Sequence, residues 1–521
     1  MARVALVLLP ALVVLACTDA TPPAAPVPSP VVARCLPYSA CPALPPDPPR
    51  DTSSAWRTIA PRLVSPDADD LLEIELQVAQ VFDPSLDVRA VRAEVEAMVA
   101  AVRRQLPRRC DTRCRVATLN RFLFDERGFA PERDPDRLFD DVRNDLLPYV
   151  LRRRRGYCVG LSHLYVTLAL RLGLAATLVP VRQHEYVRVN DPRGAVLDID
   201  PTRHGEPPRP PAVCPAASPC FGRALTLRQV AGRTLALLGL APGFTGSRWL
   251  DAAADLDPTD PNLFNNRGML RLRMGDRDGA LDDLRRASDL DPCTALYAVN
   301  AAEILGSMGR LAEAHARLDA VTAAGGPSMI VATRRALMHY DAGHDAEADR
   351  AFLEALARWT GAPAILQARA AVRLAQGRPA EALRDAQAAL ALEDTAESYG
   401  SVVLAALEAG EVATATEALA GLEARSPVAA SVDLHRALVA AAQGRYEVAE
   451  AAARRCLTRF GRRCVRATLV LADVARARGE GLCARRYAEA YLSCPRAAND
   501  RRQERFDAAT RARYLPADHA P

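Results

Sequence analysis

Residues 152–163 read Arg152-Arg-Arg-Arg-Gly-Tyr-Cys158-Val-Gly-Leu-Ser-His163, and the fold and chemistry of the chain depend on this stretch. From Leu161 onward, apolar side chains recur at offsets of three, four, seven and eleven residues, which predicts one buried stripe of a helix ending near Gly173. Cys158 then lies in the first turn, where unpaired backbone N–H groups and the helix dipole favour a thiolate. The alternative is a half-buried structural cysteine or a disulfide partner.

A β-hairpin is predicted after this helix and a strand-like run at residues 176–181. Its first strand begins at His184, residues 190–194 form the turn, and the second strand runs into Asp200. If the five-residue turn closes the hairpin, Val189 pairs with Ala195, and the same register places His184 opposite Asp200 on one face. A slip of two residues would bring Asp198 to that place instead.

The predicted register sends the apolar side chains of both strands to the opposite face, towards a core. These side chains are Val187, Val189, Ala195, Leu197 and Ile199. A thiol, an imidazole and a carboxylate then come together as Cys158, His184 and Asp200, the residue types of a nucleophile, its base and an orienting group. His204 is a second, weaker candidate for the base, and His163 is interpreted as a packing or solvent-facing histidine.

The order Gly-x-Cys158 at a helix start, His184 at a strand start and Asp200-Pro-Thr after the next strand resembles the transglutaminase-like superfamily, whose core is papain-like. The segment at residues 119–129 further resembles a bacterial branch in which such a core precedes tetratricopeptide repeats. The resemblance implies an α+β papain/transglutaminase-like core followed by an all-α tetratricopeptide-repeat solenoid. The sequence departs from the family pattern at His184-Glu-Tyr186, where His-Ala-Trp is usual. Many members of that branch have lost the cysteine that this chain keeps, which favours an active enzyme.

The second half of the chain repeats with a steady period. Glycines recur in steps of 34, 34, 34, 33, 34 and 35 residues, each is followed five residues later by an alanine, and a small residue or valine lies seven before it. The glycines are Gly275, Gly309, Gly343, Gly377, Gly410, Gly444 and Gly479. This period predicts tetratricopeptide repeats whose stacked helix pairs form a concave groove for a peptide or a partner's helix. A spacer that stabilises the neighbouring domain is the alternative.

The N-terminus has the form of a bacterial lipoprotein signal. An apolar run at residues 4–14 follows Arg3 and is too short to span a bilayer, which needs about 20 residues. Small residues precede Cys17, which would become the lipid-modified N-terminus, and Thr18 after it favours the outer membrane. An ordinary secretory signal is the alternative, and either one predicts a mature chain outside the cytoplasm.

The thirteen cysteines fit an oxidising compartment. With Cys17 assigned to lipid and Cys158 to chemistry, ten of the others fall as neighbours and Cys293 is left as one free, buried thiol. The neighbouring pairs are Cys35/Cys41, Cys110/Cys114, Cys214/Cys220, Cys456/Cys464 and Cys483/Cys494. No CxxC or HExxH pattern indicates a metal, and no phosphate-binding or dinucleotide motif indicates a cofactor.

Length and charge bound the remaining possibilities. At 521 residues the chain is long enough for several domains, and its net charge of +4 gives no reason to expect nucleic acid. The predicted divisions are a signal (1–16), a Pro/Ala-rich tether (17–69), the transglutaminase-like domain (70–225), the repeats (226–500) and a polar, fraying tail (501–521).

Two functions follow from these patterns. In the first, Cys158 attacks a carboxamide, and a thioester is then hydrolysed or transferred to an amine, with the backbone N–H of Cys158 as one oxyanion donor and Gln183 or Tyr157 as candidates for the second. In the second, the core is a silent scaffold and the repeats assemble protein partners at a membrane surface.

Overall fold

The computed structural model describes residues 70–132, 142–182, 184–208, 222–240, 248–425, 430–460, 464–493 and 501–515. These residues form two compact units. The first holds the described residues up to Leu272 together with Asp276–Tyr297, and the second holds Arg273–Gly275 and the described residues from Ala298 onward.

Three helices open the first unit: α1 (Leu71–Phe82), α2 (Val88–Gln105) and α3 (Thr112–Asn120). Each begins after an aspartate whose side chain accepts a backbone N–H of the first turn, as expected for a helix N-cap. The first two helices both pack against the helix that carries Cys158. The chain then continues from α3 through a π-helical turn, Arg121–Glu126, whose Phe122–Phe124 segment is buried.

The segment before Cys158 is short and irregular. A two-residue strand β1 (Ala130–Pro131) pairs in parallel with β2 (Arg155–Gly156), and α4 (Leu147–Arg153) lies between them in sequence. Arg154 ends α4 in the left-handed conformation with φ of 53°. Helix α5 (Cys158–Arg171) then begins at the cysteine, and Gly173 follows its end with φ of 75°. The predicted helix and its buried stripe are therefore confirmed.

A three-stranded antiparallel sheet packs against α5. Its strands are β3 (Ala175–Val181), β4 (His184–Asn190) and β5 (Val196–Ile199), in the order β3-β4-β5. Val187, Val189 and Ile199 are at most 2% exposed and join the core beneath α5. The predicted faces of the hairpin are therefore confirmed, except at Ala195, which is exposed in the turn.

The register of the hairpin differs from the prediction by two residues. Val189 pairs with Leu197 rather than with Ala195, because the turn occupies residues 191–195 and the backbone N–H of Asp191 donates to the carbonyl of Ala195. His184 is therefore not directly opposite Asp200. A shift of two residues keeps every side chain on its face, so both residues still lie on the same side of the sheet.

Two further helices, α6 (Leu227–Leu240) and α7 (Arg248–Leu256), pack against each other after the sheet. Their buried residues, among them Leu235, Trp249 and Leu250, join Ile74 and Val78 of α1 in a second core cluster. The first repeat completes this unit with α8 (Pro261–Arg273) and α9 (Arg277–Leu290).

Six further helix pairs follow the first repeat. Their first and second helices are α10 (Ala295–Ser307) and α11 (Leu311–Gly325), α12 (Met329–Asp341) and α13 (Asp345–Arg358), α14 (Pro363–Ala375) and α15 (Pro379–Leu392), α16 (Ala396–Glu408) and α17 (Val412–Arg425), α18 (Ala430–Ala442) and α19 (Tyr446–Phe460), and α20 (Arg466–Ala477) and α21 (Gly481–Leu492). All seven periodic glycines have positive φ between 73° and 86°, which is the left-handed conformation that lets the chain turn between paired helices. The alanines five residues later are at most 3% exposed. The predicted repeats are therefore confirmed as a fold.

A last helix, α22 (Arg501–Tyr514), follows the repeats. The prediction of a fraying tail from residue 501 is therefore wrong for this helix, because its side chains contact the repeats. The hydroxyl of Tyr514, for example, donates to Asp473 of α20. Among the described helices, none is both long enough and apolar enough to cross a membrane.

Two of the predicted cysteine pairs are confirmed. Disulfides join Cys110 to Cys114 and Cys456 to Cys464. Cys483 is also disulfide-bonded, and its predicted partner Cys494 lies outside the described residues. Cys293 is disulfide-bonded, so the prediction of a free, buried thiol is wrong; the residue lies half-buried in the turn after α9. The predicted pairs Cys35/Cys41 and Cys214/Cys220 and the predicted lipid site Cys17 lie outside the described residues.

Candidate active site

Cys158 is the first residue of α5 and carries a free, half-buried thiol. Its backbone N–H belongs to the first turn, where N–H groups have no partner within the helix. The backbone N–H of Tyr157, one residue earlier, donates to the carbonyl oxygen of Asn144 at 2.9 Å. The helix start is therefore held by the segment before α4, with the thiol at its positive end.

Two glycines flank Cys158 because the chain passes very close to α4 and the turn before it. A Cβ atom on Gly160 would lie 2.6 Å from the carbonyl oxygen of Asn144 and 2.7 Å from Cγ2 of Val150. A Cβ atom on Gly156 would lie 2.9 Å and 2.8 Å from the same two atoms. Any side chain at either position would push the start of α5 away, so these glycines fix where the thiol stands.

His184 contacts both other members of the predicted triad. Its Nε2 atom lies 2.9 Å from Oδ2 of Asp200, and a side-chain hydrogen bond joins the ring to Cys158. Since Nε2 faces the carboxylate, Nδ1 is the ring nitrogen left for the thiol. The structure thus brings together the three side chains that the sequence singled out.

The charges of the site favour a protonated imidazole. Burial alone would lower the pKa of His184, but the hydrogen bonds to Asp200 and Cys158 outweigh burial and raise that pKa to about 10. Burial alone would raise the pKa of Asp200, but hydrogen bonds from His184 and Thr202 hold it below its ordinary value. At neutral pH the pair is therefore an imidazolium and a carboxylate.

Asp200 is held by the turn that follows it. Its Oδ1 atom accepts hydrogen bonds from the Thr202 hydroxyl at 2.6 Å and the Thr202 backbone N–H at 3.0 Å. Its backbone carbonyl accepts from the N–H of Gly205. The side chain is 4% exposed, so the carboxylate presents one oxygen, Oδ2, to His184.

Asn120 supports the same turn, a role that the sequence did not predict. Its Nδ2 atom donates to the carbonyl of Gly205 at 3.3 Å, and its Oδ1 atom accepts from the hydroxyl of Tyr165 on α5 at 2.7 Å. Asn120 thereby joins α5 to the turn that holds Asp200. The one signal in the sequence was its place in the segment that resembles the family, next to the apolar run at residues 122–124.

A buried cluster of charged side chains lies on the other face of β4. Nδ1 of His163 is 2.6 Å from Oε1 of Glu75 on α1, and its Nε2 is 3.5 Å from Oε1 of Glu185, the residue after His184. All three residues are at most 3% exposed. Burial would lower the pKa of His163, but Glu75 and Glu185 raise it to about 10. His163 is therefore a packing histidine, as one of the two predicted interpretations has it.

Further groups complete this cluster. Thr234 of α6 donates through its hydroxyl to Oε1 of Glu75 at 3.0 Å, and the backbone N–H of Leu147 donates to Oε2 at 3.3 Å. The hydroxyl of Ser162 donates to the backbone carbonyl of Glu185 at 3.4 Å. Asp145 faces the same charges, and burial raises its pKa to about 7. The sequence did not predict this cluster, although Glu75 and His163 each interrupt an apolar helix.

The loop before His184 is bound to the first repeat. Nε and Nη2 of Arg182 contact the carboxylate of Asp291 at 2.6–3.1 Å, and Asp291 is fully buried at the end of α9. The backbone N–H of Cys293 also donates to Asp291 at 3.3 Å. This forked, charge-assisted contact fixes the residue two positions before His184.

The other candidates lie elsewhere. Asp198 forms a bidentate ion pair with Arg188 on the neighbouring strand, so it is not the partner of His184. His204 is exposed and stacks on Phe124 with ring centroids 5.7 Å apart. Gln183, a candidate second oxyanion donor, lies outside the described residues. Within the described parts of the chain, no group of three or more His, Cys, Asp or Glu side chains is placed to hold a metal ion.

The comparisons with known proteins agree with this architecture. Residues 89–225 match the model of the transglutaminase-like superfamily. The chain is also similar to a UPF0162 protein of Xylella fastidiosa (strain Temecula1 / ATCC 700964), with 27% identity over 256 residues that cover 46% of this chain and 89% of the relative. The UPF0162 protein of strain 9a5c matches with the same identity and the same coverage.

Among solved structures, the chain is similar to repeat proteins. Yeast Tom70 is 15% identical with a TM-score of 0.42, over 48% of this chain and 55% of that chain. A tetratricopeptide repeat protein from Parabacteroides merdae is 14% identical with a TM-score of 0.36, over 48% of this chain and 98% of that chain. The chain thus contains a transglutaminase-like domain followed by helix pairs with the period of tetratricopeptide repeats.

Proposed function

We propose that this chain is an envelope-anchored cysteine enzyme that acts on amide bonds, either in a peptide backbone or in a glutamine side chain. The observation that carries the proposal is the double contact of His184, with the Asp200 carboxylate on one side and the free Cys158 thiol on the other. The thiol stands at a helix N-terminus beside a protonated imidazole, the setting in which cysteines act as nucleophiles.

The first half of the reaction forms a thioester. The sulfur of Cys158 attacks the carboxamide carbon, and the carbonyl oxygen becomes an oxyanion that the backbone N–H of Cys158 can stabilise. The C–N bond then breaks as the His184 imidazolium gives its proton to the departing nitrogen, which leaves as ammonia or an amine. Asp200 keeps the ring oriented and stabilises its charge throughout.

The second half releases the acyl group. His184, now neutral, takes a proton from water or from an amine, which attacks the thioester carbon and expels the sulfur. Water gives an acid, as in a protease or amidase, and an amine gives a new amide, as in a transglutaminase. In a compartment rich in water hydrolysis is the simpler outcome unless the site excludes water.

A screen of glutamine-containing peptides tests this proposal directly. We expect the native chain to release ammonia or a cleaved peptide from some library members, and to accumulate a thioester at Cys158 that mass spectrometry detects. The Cys158→Ala variant should do neither while keeping the thermal transition of the native chain. Equal turnover by both proteins would contradict the proposal. An inert thiol in the native chain would favour the silent scaffold instead.

We propose further that the repeats bind a protein partner. Stacked helix pairs of this type present an extended surface that single domains of the same size lack. The repeats thus serve to bring the enzyme to a protein, which is either its substrate or a neighbour of its substrate.

The N-terminal pattern adds a location to the proposal: a lipid on Cys17 holds the protein in the cell envelope, facing the periplasm from the outer membrane. Labelled fatty acid should be incorporated into the native chain and not into Cys17→Ser, and the variant should leave the membrane fraction. Membrane association that persists in Cys17→Ser without label would exclude this anchor.

A further inference from the structure

The repeats of the second unit have an inner and an outer surface. From α12 to α20, the first helices of neighbouring repeats contact each other, whereas neighbouring second helices make at most marginal contact within the described residues. Helix pairs that are crowded on one side and spread on the other form a curved array. We define the first-helix face as the inner surface formed by α12, α14, α16, α18 and α20.

Helix α22 lies on this face. It contacts α12 and α14 of the third and fourth repeats as well as α21 of the last repeat. Near its C-terminus, Nη2 of Arg513 lies 2.6 Å from Oδ1 of Asp473 on α20, and the Tyr514 hydroxyl donates to the same carboxylate. A single helix thus reaches first helices near both ends of the face.

The length of α22, compared with the width of the layer of first helices, requires the array to curve around α22. Its fourteen residues span about 21 Å at 1.5 Å per residue. Neighbouring packed helices are about 8–10 Å apart, so four steps from α12 to α20 cover about 32–40 Å along a flat layer. A helix shorter than the layer contacts both of its ends when the layer is concave towards that helix.

Two polar side chains are buried in the part of α22 whose side chains the structure describes, residues 507–514. Asp507 and Thr510 are 8% and 5% exposed, and together with Tyr514 they recur at helical spacing on one side. The helix carries five arginines against two carboxylates. A polar, charged interface of this kind suits a contact that forms and releases, because an obligate interface is usually more apolar.

We propose that the first-helix face is a docking surface for an arginine-rich helix, and that α22 is its resident occupant. A protein partner then binds by presenting a similar basic helix with an aromatic residue, which displaces α22. The inference rests on the proposed binding of proteins by the repeats, and it names the chemistry of the partner and the contact that regulates access.

The test uses the full chain and a fluorescent peptide with the sequence of residues 501–515. In the double variant Arg513→Ala/Tyr514→Ala, the resident helix loses its contacts with Asp473, and we expect the peptide to bind at least about tenfold more tightly than to the native chain. Arg511→Ala is the matched control, because Arg511 is an exposed arginine on the same helix, and it should bind the peptide like the native chain. Adding Asp473→Asn to the double variant should weaken the binding of the peptide again.

Each outcome decides the inference. Equal affinity of the peptide for the native chain and the double variant would overturn it, as would tight binding of a peptide in which glutamate replaces every arginine. If the double variant loses its helical circular dichroism, the binding experiment is replaced by hydrogen exchange of the α22 amides in the single variant Asp473→Asn. Faster exchange than in the native chain supports the inference, and unchanged exchange overturns it. If some other peptide binds and this one does not, the inference is overturned, whereas the proposal that the repeats bind proteins still stands. Reactivity of Cys158 is measured in a separate experiment, so the proposed enzyme activity is tested independently.

Discussion

Nε2 of His184 lies 2.9 Å from Oδ2 of Asp200, while the other oxygen of that carboxylate accepts two hydrogen bonds from Thr202. The carboxylate therefore has one orientation, and it gives the imidazole one orientation in turn. A hydrogen bond also joins the ring to the Cys158 thiol at the start of α5.

Replacing His184 by alanine should slow the alkylation of Cys158 by iodoacetamide about 30-fold at pH 7. Without His184 the thiol loses the hydrogen bond that joins it to the imidazole ring, and it should react like an ordinary cysteine. The second-order rate constant, measured by mass spectrometry, checks this. His204→Ala is the matched control and should leave the rate unchanged, because His204 is exposed and stacks on Phe124. If the alkylation rate fell in His204→Ala and not in His184→Ala, the assignment of His184 as the partner of Cys158 would be wrong.

Replacing Asp200 by asparagine should lower the pKa of His184, which is about 10 in the native chain. Because this pKa is raised, the imidazolium contributes stability that is fully present below pH 6.5 and is lost as the pH rises through 10. In Asp200→Asn the loss should begin at a lower pH, and NMR titration of the ring nitrogens measures the shift. Asp198→Asn should leave the titration of His184 in place, because Asp198 pairs with Arg188. An unchanged pKa in Asp200→Asn would contradict the assigned pair.

Replacing His163 by glutamine should reduce the free energy of unfolding by about 3–5 kcal/mol, because it leaves buried carboxylates without their partner. The pKa of His163 is raised to about 10, so the native advantage is fully present below pH 6.5 and is lost as the pH rises through 10. Urea unfolding of both proteins across this range checks the size and the direction. Glu73→Gln removes an exposed partner of Arg92 from the same helix as Glu75, and it should cost at most about 1 kcal/mol at any of these pH values.

Replacing Gly160 by alanine should destabilise the protein by about 1–3 kcal/mol, because the new methyl group would meet the carbonyl of Asn144 and the side chain of Val150. Alkylation of Cys158 should slow as well, since the start of α5 has to move. Gly306→Ala is the matched control: it lies in α10 with no atom within 4 Å of the added Cβ, and alanine there should stabilise by about 0.5–1 kcal/mol. Thermal unfolding compares the two, and the same sign for both would contradict this account.

The sequence predicted the elements whose residues follow a strong local pattern. The apolar stripe after Leu161 predicted α5, and the spacing of glycines such as Gly275 and Gly309 predicted the repeats, because each pattern repeats the geometry of one helix or one helix pair. The faces of the hairpin were predicted because the alternation of side chains in a strand does not depend on the exact partner residue.

Contacts between distant segments were not predicted from the sequence. The register was missed by two residues, since five residues form the turn in either register and nothing local fixes the first of them. The partners of His163 and Glu75 lie far away in sequence, and no short pattern marks such pairs. Helix α22 was missed for a related reason: its buried residues Asp507 and Thr510 are polar, and burial of a polar side chain leaves no apolar pattern in the sequence.

The contact between Arg182 and Asp291 has a practical consequence for anyone who dissects this protein. A truncated piece that stops at residue 225 would lack Asp291, the carboxylate that Arg182 contacts. It would also lack Trp249, so Ile74 and Val78 of the second core cluster would be exposed. Crystallisation or assay of the isolated transglutaminase-like domain should therefore retain all residues through Tyr297, the last residue of the compact unit.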